Sequence, residues 1–292
     1  MNNTDNETGY GERPEKNAVE PRTLYLVATP IGNLEDITYR AVKILSEVDF
    51  IAAEDTRNTP KLLSRYGIKK PLVSYFEHNK REHGSYIVSR IEAGESCALV
   101  TDAGTPAISD PGEDLVVLCR EHGVKVVSLP GACAAVTALT LSGLSSRRFC
   151  FEGFLPVSGS ERKERLKDIS AERRTLIIYE APHRLAGTLS DLYGSLGQRR
   201  ITVCRELTKI NEEAVMTDLS SAASYYAENK PRGEFVLIVE GAGEIKEDYS
   251  GISVADHVER YISQGMSKMD AIKAAARDRG VPKSTVYAEI NK

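Results

Sequence analysis

Short apolar runs, each ending in small or charged residues, recur through the first half of the chain. Thr23-Leu24-Tyr25-Leu26-Val27-Ala28 gives way to Thr29-Pro30-Ile31-Gly32-Asn33, and Phe50-Ile51-Ala52-Ala53 to Glu54-Asp55-Thr56-Arg57. Cys97-Ala98-Leu99-Val100 opens onto a long stretch of small residues reaching Glu113. Runs this short and unbroken predict strands buried on both faces. Leu72–Tyr75 and Val124–Leu129 add two more strands. Between them the apolar positions take helical spacing, as in Ile37, Ala41, Ile44, Leu45 and Val48. Helices are predicted over Lys61–Tyr66, with Thr59 as N-cap and Pro60 at its first turn, and over Ser85–Ala93. Another covers Glu113–His122 behind an Asp110 N-cap and Pro111, and an apolar one runs from Pro130-Gly131-Ala132-Cys133-Ala134 to Ser142. Strands alternating with helices make residues 22–146 an α/β domain built on a mostly parallel sheet.

From Phe149 the balance changes. Phe149–Phe154, Thr175–Tyr179, Ile201–Cys204 and Glu234–Val239 read as strands, and strands slightly outweigh helices. Residues 147–241 are therefore expected to form an α+β domain on a mixed sheet. Residues 242–251 read as a polar linker. Residues 252–292 read as helical, with a capping box at Ser267-x-x-Asp270, an Ala271/Ile272/Ala275/Ala276 stripe and a stop at Gly280. A further helix, Ser284–Ile290, makes the segment resemble a helix-turn-helix, a small docking bundle being the alternative.

Charge narrows the partners. The net charge of −4 is mostly that of residues 1–21, which hold five acids and two bases, lack large aliphatics and read as a disordered tail. The body is close to neutral, so a nucleic-acid surface has to be a local patch. Arg147, Arg148, Arg162, Lys163, Arg165 and Lys167 supply one. The five cysteines form no C-x-x-C pair and read as free thiols of a reducing compartment. No apolar run approaches the length of a membrane span, which points to a cytoplasmic protein.

Several chemistries find no motif: G-x-G-x-x-G, G-x-x-x-x-G-K-[ST] and G-x-S-x-G are absent, and no Cys/His cluster calls for a metal. What remains is a set of loops at strand ends. They are Thr29–Asn33, Glu54–Arg57, Asp102–Asp110, Pro130–Ala134, Glu180–Arg184 and Arg205–Lys209. The third exceeds the roughly 2–6 residues of an ordinary crossover. Its small residues let a ligand reach the backbone, at the edge where open α/β sheets bind ligands. These loops are expected to converge on one interdomain cleft. Three pair Arg with a carboxylate, which suits a charged partner or mutual ion pairing.

The runs VATPIGNLEDIT (27–38), AAEDTR (52–57), TDAGTPAISDPG (101–112), LPGACAA (129–135), FEGFLP (151–156), YEAPHR (179–184), RELTK (205–209) and RGEFVLIVEG (232–241) resemble a known family. It is the ribosomal RNA small subunit methyltransferase I family, within the tetrapyrrole-methylase-like superfamily. Ala132 stands where that family often has Pro. The resemblance implies a two-domain methylase that folds S-adenosylmethionine into the interdomain cleft. By motif, Pro30, Asp102, Ala103, Gly104, Thr105, Ala132 and Ala134 would line the cofactor on one side, and Tyr179, Gly233, Glu234 and Val236 on the other. It implies a homodimer that 2′-O-methylates a cytidine in the decoding region of 16S ribosomal RNA, as free RNA or in the small subunit. A ribose hydroxyl benefits from a base. Glu54, Asp55, Glu180, His183 and Glu206 are candidates, with Arg57, Arg184 and Arg205 as clamps for RNA. The rival readings are a methylase of a corrin or porphyrin precursor and a non-catalytic nucleic-acid-binding regulator.

Overall fold

A computed structural model describes residues 18–243, 249 and 251–291. The expected disordered tail therefore lies, over residues 1–17, outside the described residues, as does most of the linker. Residues 18–21 are part of the fold. Val19 packs against the core, the Glu20 amide donates to Tyr25 Oη at 2.8 Å, and the Glu20 carboxylate pairs with Lys125.

The first sheet holds β1 (Thr23–Val27), β2 (Phe50–Ala53), β3 (Leu72–Ser74), β4 (Cys97–Val100) and β5 (Lys125–Leu129), in the order β3-β2-β4-β1-β5. Every pairing is parallel. Side-chain alternation explains why these runs are apolar throughout. Tyr25, Val27, Ile51 and Ala53 face α1 (Tyr39–Glu47) and α2 (Thr59–Arg65). Leu24, Leu26, Phe50 and Ala52 face α3 (Lys80–Glu92) and α4 (Gly112–Glu121). Chain direction across the sheet reverses at β1, whose neighbours are β4 and β5. The loops after β1 and β4 thus meet at a switch point.

Some helix starts differ from expectation. Helix α3 begins at Lys80 rather than Ser85, because Asn79 and His83 side chains tie the turn to Ser74. Asn58 takes the N-cap position of α2, with Thr59 its first residue. At α4 the N-cap is Pro111, and Asp110 sits one residue ahead, its Oδ1 accepting from the amides of Ala107 and Gly112.

After β5 comes α5 (Ala134–Leu141), then a second sheet of β6 (Phe149–Phe154), β7 (Thr175–Glu180), β8 (Arg200–Arg205), β9 (Glu213–Asp218) and β10 (Phe235–Val239). Its order is β6-β7-β10-β8-β9, with β6–β7 parallel and the remaining pairs antiparallel. One face is covered by α6 (Gly159–Ser170), α7 (Leu185–Leu196) and α8 (Leu219–Glu228) over Leu176, Ile178 and Leu237. The other face presents Ile177, Val236 and Ile238 to α5 and to Ile31 of the loop after β1. The sheets thereby share a core, and the chain to Gly241 clusters as one compact unit. Strand β9 and helix α8 have no counterpart in the sequence reading. The first turn after β7 is not yet helical, so Pro182 precedes α7.

A second compact unit starts at Ala242. It contains α9 (Val254–Ser263), α10 (Lys268–Arg279) and α11 (Lys283–Ile290), closed around Val258, Ile272, Ala275 and Val286. Ser253 and Ser267 cap the first two helices, and Gly280 ends the second at φ +65°. Among the described residues, no helix is long and apolar enough to cross a membrane.

Candidate active site

A cleft of about 560 Å³ opens between the carboxyl ends of the first sheet and the β7–β10 edge of the second. Its floor is the switch point. The Thr29 amide donates to Gly104 O at 2.9 Å and the Gly104 amide to Thr29 O at 3.0 Å. Gly104 sits at φ +87°, a conformation that disfavours side chains. The Gly104 N–H is thereby taken by the protein, while the residue itself lines the cleft. Ala103 and Thr105 line the cleft, and Thr105 Oγ donates to Ala132 O at 2.9 Å. Pro30 is buried behind the wall, and Asp102 is exposed beside it. The turn entering α5 presses on β1: a Cβ on Gly131 would lie 2.6 Å from Ala28 Cβ. This closeness brings Ala134 to the wall, while Ala132 does not line it and its carbonyl holds Thr105.

The opposite wall is Tyr179 with Glu234 and Val236. The Tyr179 hydroxyl accepts the Ala135 amide at 3.1 Å, satisfying an open donor at the start of α5. Its ring meets Phe151 and Phe154 edge-on, and burial pushes its hydroxyl up to about 12. Gly233 stands behind the wall, where a Cβ would strike Glu206 at 2.6 Å. Glu206 and Lys209 form a closed cluster with Glu234, and Lys209 Nζ reaches both carboxylates.

The residues of the Glu54–Arg57 and Glu180–Arg184 loops divide sharply. Glu180 lines the cleft but is buried, with Oε2 accepting from Thr188 Oγ1 at 2.5 Å and Oε1 from the Ala181 amide. Arg184 adds an ion pair at 3.4 Å and donates to the Leu155 carbonyl. Both side chains are engaged in holding the loop. His183 is exposed and lines the cleft. Asp55 and Arg57 form a bidentate pair at 3.0 and 2.7 Å, and Arg57 holds the Asp55 carboxyl down to about 2. So low a pKa makes Asp55 a poor proton acceptor. Glu54 Oε2 accepts from Thr101 Oγ1 at 2.6 Å, and its Oε1 has no hydrogen bond among the described residues. Partial desolvation at the cleft rim, and then the charges of Glu54 and Asp55, raise the Asp102 pKa.

The basic residues also divide. Arg162 is buried: it pairs with Asp191 at 2.8 Å and donates to the Pro156 carbonyl and Thr188 Oγ1. It belongs to the core between α6 and α7, which corrects its place in an RNA patch. Arg165 is engaged with Glu152, whereas Arg147, Arg148, Lys163 and Lys167 are exposed. Arg205 donates to Arg232 O and reaches Glu213 at 3.4 Å.

Sequence reasoning placed the Asp102–Asp110 and Arg205–Lys209 loops at the cleft without singling out Ser109, Asp110 or Leu207, and it missed Phe154 as a lining residue. It also missed that Ala107, Ser109, Glu206 and Thr208 adopt positive φ, between +51° and +67°. Such strain in two loops of one cleft is a common mark of function. Nothing in those residue types announces it.

The description of the Tetrapyrrole (Corrin/Porphyrin) Methylases matches residues 23–223. Ribosomal RNA small subunit methyltransferase I of Halalkalibacterium halodurans is 49% identical over 282 residues, covering 95% of this chain and 96% of its own. The Bacillus subtilis protein of the same name is 49% identical over 269 residues, covering 90% and 92%. The chain belongs to this methyltransferase I family of tetrapyrrole methylases. Solved structures extend the likeness of fold. Diphthine synthase superposes on 75% of this methylase and 90% of its own chain, with TM-score 0.59 at 14% identity. The Thermus thermophilus uroporphyrin-III C-methyltransferase complexed with S-adenyl homocysteine covers 75% and 97%, with TM-score 0.55 at 19% identity.

Proposed function

We propose that the chain transfers the methyl group of S-adenosylmethionine to the 2′-hydroxyl of a cytidine in the decoding region of 16S ribosomal RNA, as a cytoplasmic homodimer. The observation that carries the reading is the cleft itself, at the switch point of a chain with near-full-length relatives named for ribosomal RNA methylation. The cleft fits the donor. Its volume lies in the roughly 300–1,000 Å³ range of small-molecule sites. Its walls are apolar at Ile31, Leu207 and Val236, and the carboxylates lining it, Glu54, Asp110, Glu180 and Glu234, complement a cation. Ala103, Thr105 and Ala134 would hold the donor on one side, and Tyr179, Glu234 and Val236 on the other.

S-adenosylmethionine supplies an electrophilic methyl on a sulfonium, so the chain's contribution is alignment and proton handling. Glu54 Oε1 is the acceptor for the ribose hydroxyl proton, with Thr101 fixing the carboxylate through Oε2. His183 lies on the same cleft and can orient the ribose. Exposed Arg57 offers its guanidinium to the RNA backbone.

Mapping 2′-O-methylation in ribosomal RNA from a deletion strain tests the reading. Loss of one cytidine methyl group, restored by the wild-type chain, is the expected result. An unchanged methylation map overturns it. Glu54→Gln should lower turnover by about 10²–10⁴-fold while donor affinity holds.

A further inference from the structure

A second groove, of about 600 Å³, opens between β8, β9 and α8 and shares only Phe235 with the lining of the donor cleft. Its chemistry is unlike that of the donor cleft. Tyr225 and Tyr226 stand edge to face with centroids 5.0 Å apart, and Tyr226 meets Phe235 at 5.9 Å. Tyr225 is 59% exposed, which leaves aromatic surface open to solvent.

Around these rings are cations. Lys230 and Arg232, on the loop from α8 to β10, are exposed and make no ion pair among the described residues. Arg205 Nε donates to the Arg232 carbonyl at 2.7 Å, which anchors that loop to the sheet. Among the described residues Glu213 is the one acid lining the groove, and it sits 3.4 Å from Arg205. The excess charge is positive in a chain whose net charge is −4. Asn229, Thr217 and Ser221 add neutral hydrogen-bonding groups. Open aromatic faces beside unpaired cations and amide groups match single-stranded nucleic acid, whose bases stack and whose phosphates pair. A purely apolar protein segment would leave these cations desolvated and unpaired.

Position supports the same occupant. Phe235 lines both cavities, so the groove and the donor cleft meet at the start of β10, on opposite faces of the second sheet. We infer that this groove binds a single-stranded RNA segment flanking the target nucleotide, with a base against Tyr225 and phosphates at Lys230 and Arg232. The inference rests on the RNA-methylating reading and names where that substrate is gripped.

The test uses the full chain and a fluorescein-labelled ten-nucleotide single-stranded RNA, with affinity followed by anisotropy across a salt series. Each neutralised phosphate contact contributes about 0.7 to the slope of log affinity against log salt, so Lys230→Gln with Arg232→Gln should flatten it by about 1.4. Tyr225→Ala should weaken binding by roughly 5- to 150-fold, the range of one lost base stack, whereas Tyr225→Phe should retain it. Calorimetric affinity for S-adenosylmethionine should be unchanged in all of them, which also establishes that they fold. Unaltered affinity and slope in a wild-type background that methylates ribosomal RNA overturn the groove alone. A wild-type chain that neither binds the RNA nor methylates ribosomal RNA overturns the function and the groove together. Conversion of the variants to monomers with RNA affinity intact overturns the groove in favour of a protein contact.

Discussion

Replacing Arg162 with Ala separates core from RNA surface at a residue that its sequence neighbours place with the latter. Three bonds are lost: to Asp191 at 2.8 Å, to the Pro156 carbonyl at 2.8 Å and to Thr188 Oγ1 at 3.0 Å. Asp191 is 46% exposed and rehydrates, so that pair contributes at most about 1 kcal/mol. Thr188 keeps its bond to Glu180. The Pro156 carbonyl is left with only a 3.4 Å contact from Arg184, a deficit of about 1–3 kcal/mol. Loss of the packed side-chain stem adds to these terms. The sum, about 2–4 kcal/mol, lowers the melting temperature by roughly 4–16 °C in a chain of this size. Thermal unfolding and RNA binding across a salt series measure the two sides. Arg162→Ala should melt early with its salt slope intact, whereas Lys163→Gln with Lys167→Gln should melt normally with a slope flatter by about 1.4. An Arg162→Ala variant that melts with wild type, or whose slope falls, refutes the assignment.

Gly104→Val places a branched side chain at φ +87° with its Cβ 3.4 Å from Ile31 Cγ2, on the cleft floor. Calorimetry should show at least a tenfold loss of donor affinity, with unfolding still cooperative; undiminished affinity counts against the floor assignment. Asp102 has a raised pKa, so its ionisation opposes folding as pH rises through that pKa. Asp102→Asn should therefore melt no lower than wild type at pH 7, with any gain vanishing as the pH falls below the usual aspartate range. A lower melting temperature at pH 7 contradicts this. Truncation after Gly241, where the first compact unit ends, should leave donor affinity intact and reduce ribosomal RNA methylation; aggregation or loss of donor binding refutes it.

Buried strands were the most legible part of this chain, because burial on both faces writes β1, β2 and β4 as unbroken apolar runs. Their ends disclosed the loops of the cleft. Strand β9 was not legible for the converse reason: Glu213–Asp218 is a largely exposed edge whose apolar run is only Ala214-Val215-Met216. The following Ser- and Ala-rich stretch hides α8, whose N-cap Asp218 was the available signal. Helix α9 was also readable, from the Ser253 cap and the Val254, Val258, Tyr261 and Ile262 spacing. Partners within the site were beyond such reading. That Glu180 and Arg184 hold their own loop, while Glu54 keeps an oxygen open, depends on Thr188, Leu155 and Thr101 from other elements.

The paired hydrogen bonds between Thr29 and Gly104 have a consequence for how tightly a ligand can be held. They join positions 75 residues apart before any small molecule arrives, so the entropy of ordering that part of the cleft has been met during folding. Binding there draws on a preorganised surface, which favours affinity. Amide hydrogen exchange makes the distinction visible. Thr29 and Gly104 should be protected in the free protein and gain little on donor binding, so ligand-dependent slowing will concentrate elsewhere around the cleft.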